Sequence, residues 1–123
     1  MPKKQSVILD ANALLMPFQH NINLDMELRR LLGECEVLVP SSVLGELRRL
    51  ARRNRNAGAA LALARKYAIA QVEEGGDTSL ISLAREKDAV VVTNDRSLIR
   101  ELRKSSIPVV YLRSRTHLVV EGL

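Results

Sequence analysis

The 123 residues fit one compact domain, 1–123, long enough to bury a core and too short for two. The single cysteine, Cys35, excludes an internal disulfide and makes a reducing, cytoplasmic compartment the expectation. The net charge of +5 points toward an anionic partner such as nucleic acid, while no window approaches the roughly 20 apolar residues of a membrane span. The basic opening Met1-Pro2-Lys3-Lys4-Gln5 leads into only Val7-Ile8-Leu9 before a carboxylate, far short of a signal-peptide core, so a soluble protein is expected.

In chain order, four apolar runs read as strands: Val7 to Leu9, Val37 to Val39, Ala89 to Val92 and Val109 to Leu112. Each is continuous rather than alternating, as a strand covered on both faces must be. Leu24, Leu28, Leu31 and Leu32 recur at helical spacing, and so do Val43, Leu44, Leu47 and Leu50. The Ala-rich stretch from Ala57 to Ala70 predicts a third helix, Leu80 to Glu86 a fourth, and Leu98 to Leu102 the heart of a fifth. Aromatic residues are confined to Phe18, Tyr67 and Tyr111, so the core must be aliphatic. Alternating strands and helices imply a three-layer α/β/α sandwich around a mostly parallel sheet. The tail Thr116-His117-Leu118-Val119-Val120 is either an edge strand or an interface element.

Four carboxylates hold places that carry chemistry. Asp10 directly follows the first strand, at the end where open α/β sheets bind ligands, although a turn or helix cap also explains it. Glu46 sits within a helix near the edge of its apolar face, where an unpaired acid is costly to bury; pairing with Arg49 or Arg53 is the alternative. Asp77, after Gly75-Gly76, has the place of a helix cap, and so has Asp95 in Thr93-Asn94-Asp95-Arg96. Taken singly, each Asp is explained by capping. Together, Asp10 and Asp95 at strand ends and Glu46 and Asp77 on helices that start at that end can reach one pocket. Four clustered acids would repel one another, and an all-oxygen set without Cys or His favours Mg²⁺ or Mn²⁺ as the compensating charge.

The segments Val7-Ile8-Leu9-Asp10-Ala11-Asn12, Pro40-Ser41-Ser42-Val43-Leu44-Gly45-Glu46-Leu47, Gly76-Asp77-Thr78-Ser79-Leu80-Ile81 and Val92-Thr93-Asn94-Asp95-Arg96-Ser97-Leu98 resemble, in order, the four motifs of the PIN-domain family. The resemblance runs from about Val7 to Leu112, and Glu101 to Leu112 is similar to the segment after the fourth motif in stand-alone archaeal members. It implies RNA phosphodiester hydrolysis by a metal-activated water, as in VapC-type toxins and rRNA-processing PIN endonucleases. In that analogy Asp10 and Asp95 ligate the metal, Asp77 does so directly or through water, and Glu46 holds the attacking water. Asn12 and Thr93 are supporting polar contacts, with turn hydrogen bonding as their alternative. Many members carry a second Asp after the third motif's acid; here that position is Thr78, which puts a second metal site in doubt. The resemblance also implies a homodimer and either an antitoxin or an RNA-processing partner.

An acidic pocket repels phosphates, so the substrate needs positive charge at the rim. Arg48, Arg49, Arg52, Arg53 and Arg55 come closely after Glu46 and could bind RNA, or could be a solvated helix face. His20 and His117 lie away from the strand ends, which disfavours a histidine acid/base ribonuclease, and there is no Walker-type phosphate loop. The competing readings are a non-catalytic RNA-binding or scaffold module of the same family and a phosphatase or receiver domain. Asp10-Ala11-Asn12 lacks the second Asp of the phosphatase pattern.

Overall fold

The computed structural model describes residues 4–123. Strand β1 (Gln5–Leu9) is followed by α1 (Ala11–His20) and α2 (Leu24–Leu32), then β2 (Cys35–Pro40), α3 (Ser41–Ala51) and α4 (Arg55–Ala64). The second half runs β3 (Ala68–Ala70), α5 (Asp77–Lys87), β4 (Val90–Val92), α6 (Arg96–Lys104), β5 (Val109–Arg113) and β6 (His117–Glu121). The strands form one sheet in the order β3-β2-β1-β4-β5-β6, parallel throughout except for the antiparallel β5–β6 pair. Among the described residues no helix is long and apolar enough to cross a membrane.

The period of two along β1 builds the layers. Val7 and Leu9 join a core with residues of α1 to α4, including Leu14, Leu28, Leu47 and Ala60. Ile8, between them, faces the other side and packs with Leu80 and Leu83 of α5 and Leu98 and Leu102 of α6. All three side chains have no solvent exposure, so β1 is central and covered on both faces. Because the chain moves outward from β1 through β2 to β3 and then returns to β4 on the other side, β1 and β4 flank a topological switch point. In open α/β sheets the crevice beyond such strand ends is where ligands bind.

Two local outcomes differ from the sequence reading, and a third selects one of the two alternatives given for the tail. Helix α1 was not anticipated: five of its residues, Ala11, Ala13, Leu14, Leu15 and Met16, are buried, leaving no polar stripe, and Pro17 lies inside it. The Ala-rich helix stops at Ala64, and Ala68–Ala70 instead pairs with Leu38–Pro40 as an edge strand. Alanine favours a helix locally, and tertiary pairing overrides that preference for three residues. The tail is β6, an edge strand. Its outward-facing backbone at Leu118 is covered by α2: the Leu118 N–H donates to Glu27 Oε1 at 2.8 Å, and Arg30 Nη2 donates to the Leu118 carbonyl at 2.8 Å. Filling these two groups blunts the edge at Leu118, where its backbone could otherwise pair with another chain.

Candidate functional site

Asp10 leaves β1 at its carboxyl end and caps α1, with Oδ1 accepting the Ala13 N–H at 2.8 Å. Its other oxygen accepts a hydrogen bond from the Thr93 hydroxyl, and Thr93 Oγ1 in turn accepts the Asp95 N–H at 3.1 Å. Thr93 is fully buried at the end of β4, so one hydroxyl joins the two aspartate-bearing turns across the switch point. A second bridge lies beside it. Asn12 Oδ1 accepts the Asn94 N–H at 3.1 Å, and Asn94 Oδ1 accepts the Leu112 N–H at 2.8 Å. Asp95 caps α6, with Oδ1 accepting the N–H groups of Ser97 and Leu98 at 2.9 and 3.3 Å. For Asp10 and Asp95, then, capping and a place in the site are compatible, because each cap uses a single oxygen.

Asp10, Glu46, Asp77 and Asp95 line one cavity of about 510 Å³, together with Asn12, Ser42 and Ser79. The four acids come from four separate stretches of chain, and none forms an ion pair among the described residues. Burial pushes the Asp10 carboxyl up to about 7, and the negative charges of Glu46 and Asp95 push the same way against its two hydrogen bonds. Two expectations need correction. Glu46 is exposed on α3 and makes neither of the arginine pairings open to it, so no burial cost compels it to take a partner. Asp77 is the first residue of α5, whose cap is Gly76 at φ 93, and its carboxylate caps nothing. That left-handed backbone suits glycine and turns the chain into α5 beside the cavity.

Of the five clustered arginines only Arg49 lines this cavity; Arg48, Arg52, Arg53 and Arg55 are exposed elsewhere on α3 and α4 or between them. The acids are also spread out: among the described residues no three His, Cys, Asp or Glu side chains stand close enough to grip one ion together. Sequence reasoning did not identify the Ser42 and Ser79 lining, which carries no distinguishing pattern.

The family described as "PIN like domain" matches residues 7–115. This chain belongs to the PIN-like domain family. It is 30% identical to the protein named Ribonuclease VapC9 of Archaeoglobus fulgidus, over 98% of this chain and 93% of that one. It is 29% identical to Ribonuclease VapC4 of Methanocaldococcus jannaschii, over 95% of this chain and 97% of that one. Among solved structures, that of the PIN domain endonuclease Utp24 superposes with a TM-score of 0.79 at 24% identity, covering 96% of this chain and 92% of the other, and so shares its fold. The PIN-like match spans all four acid-bearing segments. In this PIN-like domain, the four acids offer oxygen donors only, on three exposed side chains around one partly buried, hydrogen-bonded Asp10.

Proposed function

We propose that this PIN-like domain is a divalent-cation-dependent endoribonuclease that hydrolyses RNA phosphodiester bonds in the acid cavity. One observation carries the reading: four carboxylates from separate segments line one cavity at the switch point, and among the described residues no basic side chain is paired to any of them. The donor chemistry fits a hard cation, since all the donors are oxygens and Asp10 bears repulsion from Glu46 and Asp95 that a cation would relieve. Asp10 and Asp95 would hold Mg²⁺ or Mn²⁺, with Asp77 a ligand directly or through water.

When bound, the ion supplies charge neutralisation at the scissile phosphate and activation of the attacking water. The chain's residues do the rest. Thr93 fixes the Asp10 carboxylate by donating to it, and Asn12 ties down the loop that carries Asp95. Glu46, exposed at the rim, orients the water and accepts its proton. Arg49 is the cation at the rim that offsets the acids' repulsion of the phosphate.

The two ribonucleases named VapC among the relatives favour the toxin of a toxin–antitoxin pair, with an antitoxin as partner, over an RNA-processing enzyme. The wide spacing of the acids favours a second reading, a non-catalytic RNA-binding or scaffold module. Incubation with structured and unstructured RNAs in Mg²⁺ or Mn²⁺, beside Asp10→Asn and Asp95→Asn, separates the two. Cleavage by the wild type that both variants lose supports the enzyme; RNA binding without cleavage in either metal supports the module.

A further inference from the structure

A second cavity, of about 680 Å³, adjoins the acidic one and has the opposite sign. Arg96, Arg100 and Arg103 of α6 line it, with Tyr111 of β5 and Arg115 of the β5–β6 turn. The α6 arginines are spaced by four and three residues, so they stack on one helix face over about 10 Å. Arg103 is engaged by Glu121, whereas Arg96, Arg100 and Arg115 form no ion pair among the described residues. Arg115 and its neighbour Ser114 both hold left-handed backbone, at φ 59 and 56, a conformation that disfavours side chains larger than glycine. Guanidinium groups gathered without counter-charges form a site for an anion, and their planar forks match phosphate oxygens.

The two cavities meet at one loop. Asn94 lines the basic one and Asp95, the next residue, lines the acidic one, while Leu98 and Ile99 of α6 divide in the same way. The Asn94 bridges to Asn12 and Leu112 hold that junction in place. We propose that the groove between α6 and β5 is the track for the backbone of single-stranded RNA flanking the cut, which extends the ribonuclease reading on which it rests. Its length suits about two or three successive phosphates. Tyr111, half-buried in the lining beside the arginines, is the aromatic side chain of this cavity available for a base to stack on. An acidic peptide would satisfy the same charges, but only a substrate strand gives a reason for the arginines to begin one residue from a proposed ligand.

The test uses a fluorescein-labelled single-stranded RNA of mixed sequence and the full chain in EDTA, where nothing is cut, with anisotropy read across a salt series. Arg96→Ala/Arg100→Ala and Arg115→Ala are compared with wild type and with Arg85→Ala, on α5 outside both cavities. The double variant should bind about tenfold more weakly, with a log–log salt slope flatter by about 1.4, given about 0.7 per phosphate contact in single strands. In Mg²⁺ or Mn²⁺ its KM should rise while kcat holds. Affinity and slope equal to wild type in both groove variants overturn the track, as does failure of the wild type to bind this RNA. So does a double variant that loses binding of labelled poly-glutamate but keeps that of RNA. Groove-dependent RNA binding without any cleavage retains the track and overturns the ribonuclease assignment instead.

Discussion

Replacing Asp10 by Asn should stabilise the metal-free protein while removing its activity. The folded state keeps the Asp10 proton up to about 7, whereas the unfolded chain releases it above 3.8. Between those values the folded state binds more protons, so this group makes stability fall as pH rises, and the loss is complete just above pH 7. At about 1.4 kcal/mol per pH unit the burden is about 4 kcal/mol as an upper bound. Asn removes the charge but keeps one oxygen for the Ala13 N–H. Its amide must donate to Thr93 Oγ1, which already accepts the Asp95 N–H, so the Thr93 proton loses its acceptor at a cost of about 1–2 kcal/mol. The net gain for Asp10→Asn is about 2 kcal/mol at pH 8, roughly 5–10 °C in Tm. Urea denaturation in EDTA from pH 4 to pH 8 measures it: the variant's advantage should grow with pH and shrink toward pH 4. A variant no more stable than wild type at pH 8, or an advantage that does not change with pH, would refute the reasoning.

Thr93→Val keeps shape but removes the hydroxyl that serves Asp10 and Asp95, so it should cost about 1–3 kcal/mol by chemical denaturation and weaken Mn²⁺ binding. Unchanged values for both would mean that the bridge is idle. Glu27→Gln should destabilise the β6 edge by about 1 kcal/mol, measured as earlier hydrogen exchange at Leu118. Because the Arg30 and Leu118 hydrogen bonds hold the Glu27 carboxyl below its usual range, this contribution is present at neutral pH and is lost as pH falls through the lowered value. Gly76→Ala, at φ 93, should cost about 1–3 kcal/mol by chemical denaturation even though nothing lies within 4 Å of the added methyl. Sedimentation should give the mass of a homodimer; a monomer at micromolar concentration would contradict the dimer expected from the PIN resemblance.

The central strands were legible because burial on both faces leaves unbroken aliphatic runs, as in Val7-Ile8-Leu9 and Val90-Val91-Val92. Asp10 and Asp95 were legible for a related reason: each comes after such a run, and the first polar residues after a parallel strand fall at the ligand-binding end. Helix α1 was hidden because a helix buried on most sides loses its period, and Pro17 reads as a breaker. β3 was hidden by alanine, whose local preference is for a helix, while the pairing with Leu38–Pro40 that decides the matter is remote in sequence. The exposure of Glu46 could not be read from its neighbours, since a helix edge is wet or dry according to what packs above it. The arginine stripe of α6 was present in the spacing of Arg96, Arg100 and Arg103, but its opposite wall, Tyr111 and Arg115, exists only after β5 and β6 have paired.

The most direct measurement of the central claim is calorimetric titration of Mn²⁺ into the wild type and into Asp10→Asn at pH 7, in two buffers of different ionisation enthalpy. With Asp10 near half-protonated at that pH, binding should release about half a proton, and Asp10→Asn should abolish both the proton release and most of the affinity. No Mn²⁺ binding by the wild type, or binding that Asp10→Asn leaves unaltered, would contradict the assignment of the acid cavity as a cation-dependent centre.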